Sequence, residues 1–365
     1  MTRPLVCYMY VEDERYPRNK KIRGRLEDAG YEILIVPKKH APPIAAHLYM
    51  FVQAVALMRR ATKFEAVVLS EFSNFGFPYA WLLARRHKCP LVVDMFVGKA
   101  ETIIGDWRRH GSKSLAARLL RVLDRATVSS ADILLCDTSI RADTFSSLTA
   151  QPVQCVVISV GAPEWVQRSG LEKTGRVAES SIDVLFYGYY AALHNVAAIV
   201  DAMIIGVQRH EIASSVIVGQ GTGRSDLEEL VQRLGLSSHI QFLDNTNTVE
   251  LRRLLDRSNI CLGIFGGSDK AATVIPNKVW ESVALGIPVV TRSSEAYADM
   301  PPEIRALIVE VDVTPAETLG SRIVEAITDA RGRRVDQTVI ASALHHLEVS
   351  QFDTLVETLR SARRG

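Results

Sequence analysis

Residues 260–291 combine glycines, lysines and a glutamate in a pattern suited to binding a phosphate group. An apolar run stops at Gly266 and Gly267, and a short amphipathic helix is predicted to begin at Pro276 and Asn277. A strand, a glycine turn and a helix in succession form a βα unit, whose helix N-terminus favours a bound anion. The alternative interpretation is a tight turn followed by an ordinary helix start.

Two lysines and a glutamate complete this pattern. Lys270 lies in a loop predicted between the glycines and the helix, and Lys278 lies in the first turn of the helix. Both add positive charge where a phosphate would bind. Glu281 follows one turn later, where it can accept hydrogen bonds from sugar hydroxyls. The pattern therefore predicts a site for a sugar nucleotide.

Two other glycine turns follow predicted strands in the second half of the chain. Gly219 and Gly221 precede a predicted helix, and glycines there let a ligand approach the backbone closely. Gly188 follows an earlier strand, and His194 near the next helix start could donate a hydrogen bond to a phosphate. Ligand-free glycine turns and a solvated histidine are the alternatives.

In the first half of the chain, polar residues follow the first and fourth predicted strands. Arg15, Arg18 and Glu101 are candidates for contacting an acceptor in a cleft between two domains. Solvated or purely structural roles are the alternative for each. Three side chains are the candidates for accepting a proton from the acceptor: Asp94, Asp106 and His110.

A basic amphipathic helix is predicted from Leu115 to Ala126. Arg118, Arg121 and Arg125 share one of its faces, beside an apolar stripe formed by Leu115, Leu119, Val122 and Leu123. Such a helix can lie on an anionic membrane. The alternative is a helix whose apolar stripe packs on its own domain.

Twelve short apolar runs predict the strands that must position these residues. Their continuous rather than alternating pattern is typical of parallel strands covered by helices on both faces. The first six predicted strands are Val6–Tyr10, Ile33–Pro37, Ala66–Ser70, Leu91–Phe96, Ile133–Cys136 and Val156–Val160. The other six are Val184–Tyr187, Ser215–Val218, Ile240–Leu243, Ile260–Phe265, Pro288–Thr291 and Leu307–Val311. The predicted fold is α/β, with two doubly wound, Rossmann-like parallel-sheet domains.

A polar segment near residue 172 is the predicted linker. We therefore expect an N-terminal domain at 1–172, a C-terminal domain at 173–335, and a C-terminal helix at 336–365 that returns to the N-terminal domain. Two domains agree with a length of 365 residues.

Composition narrows the function classes. With 43 basic and 41 acidic residues, the net charge of +2 gives no reason to expect nucleic-acid binding. Five scattered cysteines without a C-x-x-C pair indicate a reducing compartment and no zinc site. The longest apolar stretch, about 15 residues, is shorter than the roughly 20 needed to span a bilayer. A cytoplasmic location is expected, with peripheral contact at the inner membrane face compatible with the basic helix.

The segment I-P-N-K-V-W-E-S-V-A-L-G-I-P-V-V resembles the donor-binding segment of retaining glycosyltransferases of the family-4 type, which have the GT-B fold. V-I-V-G-Q-G and G-Y-Y with H-N also stand where that family places them. The resemblance implies two domains facing across a cleft. The second would hold a nucleoside diphosphate sugar, with UDP the expected carrier, and the first a glycan, lipid-linked or small-molecule acceptor.

The resemblance also implies individual roles. Glu281 would bind the donor ribose, while Lys278, Asn277 and the backbone at Gly266 and Gly267 would hold the diphosphate. Either Lys270 or His194 would assist. No metal and no further cofactor are implied, because lysines and a helix end supply the positive charge.

The chain departs from the family pattern at three points. Thr273 stands where the first of two signature glutamates is usual, and Phe96 where a histidine is common. The arginine and lysine that usually hold the diphosphate are not evident, although Lys270, Lys278 or Arg224 could replace them.

Three rival functions stay open. The first two are a GT-B sugar-nucleotide epimerase and a non-catalytic sugar-nucleotide-binding partner of a true transferase. The third is an NAD-dependent reductase, for which Asp244 stands in the position of a ribose-binding acid. Arg224 argues against a reductase, because G-x-G-x-x-G requires glycine there.

Overall fold

A computed structural model describes residues 3–39, 41–106, 114–167 and 181–362. The chain forms two compact units. Unit 1 contains Met1–Val160 together with Glu348–Gly365, and unit 2 contains Gly161–Leu347. The division falls at Val160, whereas the sequence prediction places it near residue 172.

Unit 1 is built on a six-stranded parallel sheet in the order β2-β1-β3-β4-β5-β6. Its strands are β1 (Leu5–Val11), β2 (Glu32–Pro37), β3 (Ala66–Leu69), β4 (Leu91–Asp94), β5 (Ile133–Cys136) and β6 (Gln154–Val157). Its helices are α1 (Pro17–Asp28), α2 (Pro43–Met58), α3 (Phe77–His87), α4 (Leu115–Ser130) and α5 (Ser139–Ser146). The four central strands β1, β3, β4 and β5 are almost wholly buried, as expected for a sheet covered on both faces.

Helices cover both faces of this sheet. Met50 of α2, Leu83 of α3 and Val128 of α4 share one core cluster with the strands. On the other face, α1 packs beside the last part of a long helix, α14 (Gln337–Ala362), whose Phe352 and Leu355 belong to the second cluster. The C-terminal residues from Glu348 onward thus belong to unit 1.

Unit 2 contains a second six-stranded parallel sheet, in the order β12-β11-β10-β7-β8-β9. Its strands are β7 (Ile182–Tyr187), β8 (Ser215–Val218), β9 (Ile240–Leu243), β10 (Ser258–Leu262), β11 (Val289–Arg292) and β12 (Ile308–Val311). Its helices before α14 are α6 (Glu164–Gln167), α7 (Val196–Gln208), α8 (Arg224–Arg233), α9 (Thr248–Asp256), α10 (Asp269–Thr273), α11 (Asn277–Ala284), α12 (Pro302–Arg305) and α13 (Leu319–Ala330). One large core cluster joins α7 and α13 to the sheet.

The region around Lys270 was predicted as a loop, and the structure corrects that prediction. Residues Asp269–Thr273 form the short helix α10, which begins where the Ser268 hydroxyl accepts a hydrogen bond from the N–H of Ala271 (3.2 Å). A serine in this role is a typical N-cap. In unit 1 the sequence pattern predicts helices at Arg18–Ala29, Ala46–Ala61 and Leu115–Ala126, but none at the positions of α3 and α5.

Candidate functional site

The strand order of unit 2 creates a switch point between β7 and β10. The chain leaves β7 toward β8 on one side and later places β10 on the other side. The connections after these two strands therefore diverge, which opens the crevice where parallel α/β sheets bind ligands. Gly188 follows β7, Gly266 follows β10, and α11 begins beside them at Asn277.

Lys278 is the unusual side chain of this crevice. Only 6% of the residue is exposed, yet its Nζ has no hydrogen-bond partner among the residues that the structure describes. The Nζ lies 4.5 Å from the ring centre of Phe186, the next-to-last residue of β7. Burial lowers the pKa of Lys278 from 10.5 to about 7, an effect that nearby Glu281 only partly offsets. An unpaired buried ammonium is costly, so the site is suited to receiving an anion.

Gly188 leaves the space in front of this ammonium open. A Cβ at Gly188 would lie 3.0 Å from the Nζ of Lys278 and 3.0 Å from Cε1 of His194. The φ of Gly188 is +149°, a value that favours glycine. A side chain at this position would thus occupy the volume in front of the lysine.

His194 has a different state from the one predicted. Its Nδ1 is bonded to the carbonyl oxygen of Tyr189, and because a carbonyl only accepts, Nδ1 carries the proton. Burial, followed by the charge of Lys278, lowers the pKa of His194 from 6.5 to about 3. The neutral ring therefore presents Nε2 as an acceptor. It can donate to a phosphate only after taking up a proton.

Glu281 lies one helical turn beyond Lys278 and is half-buried. The hydroxyl of Tyr187 donates a 2.8 Å hydrogen bond to its Oε2. Burial raises the pKa of Glu281, and the contact with Tyr187 opposes that rise. The carboxylate is thus held in a fixed orientation, with acceptor capacity left for a polar ligand.

Gly219 and Gly221 bring the loops after β7 and β8 together. A Cβ on Gly219 would stand 2.0 Å from the carbonyl oxygen of Gly188, and a Cβ on Gly221 would stand 2.5 Å from Cβ of Tyr190. Both glycines also have positive φ, +140° and +151°. In this structure they shape the crevice by close packing of backbone against backbone.

Gly266 has a similar packing role, which corrects part of the prediction. Its N–H donates to the carbonyl of Leu193 (3.0 Å), and a Cβ would lie 2.6 Å from that same oxygen. This N–H is therefore committed within the fold and not free for a diphosphate. Gly267 is exposed, with open space around its Cα. The guanidinium of Arg292 donates to the Gly266 carbonyl (2.5 Å) and braces this turn.

The remaining predicted donor-side residues lie around the start of α11. Pro276 is the N-cap residue and provides no side-chain cap, and Asn277 is an exposed first residue of the helix. Lys270 lies in α10 and is half-buried. Thr273 ends α10, and its hydroxyl donates to the carbonyl of Lys270 (3.2 Å).

Asp244 is neutralised by Arg224. The guanidinium of Arg224 contacts Oδ1 of Asp244 at 2.7 Å and the carbonyl of Gly219 at 2.8 Å. The hydrogen bond from Arg224 lowers the pKa of this exposed carboxyl. An acid tied to an arginine is poorly placed to bind a ribose, which weakens the NAD alternative.

Asp94 and Arg18 form a buried ion pair, so neither suits its predicted role. Nε of Arg18 donates to Oδ2 of Asp94 (2.9 Å), and one NH2 group donates to Oδ1 (2.9 Å). The exposed fractions of the two side chains are 1% and 0%. Asp94 therefore cannot reach an acceptor hydroxyl, and Arg18 cannot reach an acceptor.

The other candidates from the first half of the chain are Arg15, Glu101, Asp106 and His110. Arg15 is 92% exposed, and its Nε lies 3.4 Å from Oδ1 of its neighbour Asp13. Glu101 accepts hydrogen bonds from Arg141 (2.5 Å) and from the N–H of Gly98 (2.8 Å). The side chain of Asp106 and all of His110 lie outside the described residues.

Glu71 was missed by the sequence interpretation. It follows β3, is fully buried, and accepts hydrogen bonds from Ser70 (2.6 Å) and from Asn19 (2.6 Å). Burial, then the charge of Asp94, raises its pKa from 4.5 to about 7. In the sequence, the only indication of Glu71 is its position directly after a predicted apolar strand.

A crevice of about 390 Å³ lies between α4 and α5 in unit 1. Its lining is mainly apolar, with Phe145 and Leu148 beside Glu101, Asp124 and Arg121.

Within the described ranges, no three His, Cys, Asp or Glu side chains are grouped closely enough to hold a metal ion. None of the helices in that part of the chain has the length and apolar character required to cross a bilayer.

Two units, each built on a six-stranded parallel sheet with flanking helices, form the architecture of the GT-B glycosyltransferases. Solved structures agree: sucrose-phosphate synthase from Thermosynechococcus elongatus aligns with a TM-score of 0.68 at 14% identity, covering 98% of this chain and 99% of that one. HepE of Anabaena aligns with a TM-score of 0.62 at 12% identity, covering 97% and 100%. The galactosyltransferase WaaB of the lipopolysaccharide outer core gives 0.63 at 10% identity, covering 98% and 99%.

Family models match both halves of the chain. Residues 6–161 match the "Glycosyl transferase 4-like domain", and residues 181–329 match "Glycosyl transferases group 1". No curated protein matches the chain in sequence. The chain belongs to the family-4-type glycosyltransferases.

Proposed function

We propose that this glycosyltransferase moves a sugar from a UDP-linked donor to a glycan, lipid-linked or small-molecule acceptor, with retention of the anomeric configuration. The observation that carries the donor assignment is the buried Nζ of Lys278, which lacks a hydrogen-bond partner in the described ranges and faces the open space in front of Gly188. HepE, a structural neighbour, was solved with UDP and with UDP-glucose. That neighbour supports UDP as the first carrier to test.

In this proposal Lys278 contacts the diphosphate. During transfer, the bond between the anomeric carbon and the diphosphate oxygen breaks, a bond to the acceptor oxygen forms, and the acceptor's hydroxyl proton passes to the departing diphosphate. Negative charge develops on the departing diphosphate. A fixed ammonium in a dry crevice stabilises that charge more strongly than it would in water. The neutral His194 can take up a proton there and become a second donor.

Glu281 contacts the donor ribose in the same proposal. Tyr187 fixes the carboxylate by donating to Oε2 (2.8 Å), so little side-chain freedom is lost when hydroxyls bind. No metal or further cofactor is required, because Lys278 and the start of α11 supply positive charge.

The acceptor is proposed to bind at unit 1. The mainly apolar crevice beside Glu101 suits an acceptor with a hydrophobic part. Its apolar lining favours a lipid-linked sugar over a free polysaccharide.

A second candidate function is binding of a sugar nucleotide without catalysis. Thr273 favours it, because the hydroxyl is bonded to the Lys270 carbonyl and no carboxylate stands at the position of the first signature glutamate. In that case UDP would bind but no sugar would be transferred.

A thermal-shift screen with nucleoside diphosphates, followed by an assay of donor turnover, tests the proposal. A ligand at about 100 times its dissociation constant adds roughly 2.7 kcal/mol to the free energy of unfolding. We expect UDP to raise the melting temperature and NAD to leave it unchanged. Binding of UDP without turnover of any UDP-sugar would favour the second candidate, and a shift with NAD alone would overturn both.

A further inference from the structure

Helix α2 presents an apolar surface to solvent. Its 16 residues include no Asp, Glu, Lys or Arg. Ile44 is 87% exposed and Leu48 62%, and Phe51 and Val52 are about half exposed. Their spacing places all four side chains on one side of the helix. Met50 and Ala54, on the opposite side, pack into the core.

Helix α4 has the same property. Leu115 is 72% exposed, Leu119 60% and Val122 63%. The opposite side of the helix is buried through Asp124 and Val128. The apolar stripe that could have packed on its own domain therefore faces solvent.

The two stripes belong to one layer of unit 1. Helix α2 packs against α3, and α3 packs against α4. All three bury their inner sides in the same core cluster. Between the two stripes, α3 exposes Trp81 and Leu82. We call the outward sides of α2, α3 and α4 the apolar face of unit 1.

Cations accompany this apolar face. Arg85 and Arg86 are exposed near the end of α3, and Arg118, Arg121 and Arg125 are exposed along α4. Neither α2 nor α3 contains an acidic residue. The only acid of α4, Asp124, is buried and accepts the N–H groups of Lys99 (2.9 Å) and Ala100 (2.8 Å). The charge of the face is thus entirely positive.

We propose that the apolar face of unit 1 docks on an anionic lipid bilayer. Large apolar side chains flanked by arginines match an interface in which hydrocarbon lies beneath negatively charged headgroups. A second copy of the chain would bring arginines against arginines, which costs free energy. Docking here is independent of the proposed donor site, because no residue of the face belongs to the donor crevice. Arg121 of the face also lines the crevice proposed for the acceptor.

Cosedimentation of the full chain with lipid vesicles tests the proposal. One set of vesicles is phosphatidylcholine alone, and the other contains phosphatidylglycerol as well. We expect binding only to the second set, weakening at high salt. The double variant Arg118→Gln and Arg125→Gln should weaken binding about thirtyfold, since each surface arginine contributes roughly a factor of five. Leu48→Ser with Leu119→Ser should also weaken it severely.

A matched control uses Arg233→Gln with Leu234→Ser, at exposed positions in unit 2. This variant should bind vesicles like the unchanged protein. Equal binding by all variants would overturn the proposal. Absence of vesicle binding, together with a lipid-free dimer that Leu119→Ser dissociates, would also overturn it and assign the face to a second copy. A vesicle-binding chain with no UDP affinity would refute the proposed function alone.

Discussion

The two units differ in how they treat a buried cation. In unit 1, Arg18 is 1% exposed and held by Asp94, and Arg141 is held by Glu101 and Asp137. In unit 2, Lys278 is 6% exposed, and within the described part of the chain its Nζ has no hydrogen-bond partner. Removing the partner of a paired buried cation destabilises the fold, whereas the cost of an unpaired one can be offset by a bound anion or by loss of the proton. The comparison therefore separates structural charge from binding charge.

The largest effect should follow from breaking the pair in unit 1. Replacing Asp94 with Ala leaves Arg18 buried without its carboxylate, and we expect a loss of about 3–5 kcal/mol in the free energy of unfolding. Chemical denaturation measures it. The affinity for UDP should stay unchanged under native conditions. An Asp94→Ala protein of normal stability would show that the pair is not structural.

Removing the cation of unit 2 should act in the opposite direction. Lys278→Met eliminates a buried unpaired charge, so the ligand-free protein should become more stable by about 1 kcal/mol. Its affinity for UDP should fall by about 2 kcal/mol, roughly thirtyfold. Calorimetric titration and thermal denaturation measure the two effects.

The matched control for that variant is Lys270→Met. Lys270 is half-buried and lies in α10, so its removal should cost less UDP affinity. A Lys278→Met protein that is less stable and binds UDP normally would reverse the comparison between the units.

The pH dependence of stability sharpens the comparison. Lys278 has a pKa of about 7 in the folded state against 10.5 for the unperturbed group. Between these values the unfolded chain binds one more proton, so the free energy of unfolding should rise with pH by up to about 1.4 kcal/mol per unit. Lys278→Met lacks this contribution. Denaturation should therefore show that the two proteins' free energies of unfolding approach each other from neutral to mildly alkaline pH. A difference in free energy that does not change with pH would mean that Lys278 is charged throughout.

The smallest effects concern Glu281. Glu281→Gln keeps the shape but weakens acceptance from ribose hydroxyls, and we expect a loss of about 1.5 kcal/mol in UDP affinity. Tyr187→Phe should cost less, because it frees the carboxylate without removing it. Titration with UDP and with UMP measures both. Unchanged affinity in Glu281→Gln would remove this residue from the proposed site.

Much of the fold could be predicted because it depends on local patterns. Each of the twelve strands was predicted as a short apolar run, and the observed strands overlap those runs, as in β5 at Ile133–Cys136. Helix α3 was missed because its start, Phe77-Pro78, reads as a turn, and α5 because it is short and polar. The start of α11 was predicted correctly from Pro276.

The site could be predicted only in part, because partners distant in sequence decide what a side chain can do. Lys278 was a candidate because of its position in the predicted helix. The surroundings of its Nζ depend on Phe186 and Gly188, which are distant in sequence. Asp94 was read as a proton acceptor because its partner, Arg18, lies far away in the sequence. Glu71 belongs to no sequence motif, so the sequence interpretation missed it.

Proton uptake on UDP binding tests the central claim most directly. At about pH 8 the side chain of Lys278 should be mostly the neutral amine in the free protein. A bound diphosphate should favour the ammonium and so restore the proton. Calorimetric titrations in buffers of different ionisation enthalpy count that proton. The account predicts nearly one proton taken up per UDP, and markedly fewer in Lys278→Met. Equal uptake in both proteins would contradict the assignment of Lys278 to the diphosphate.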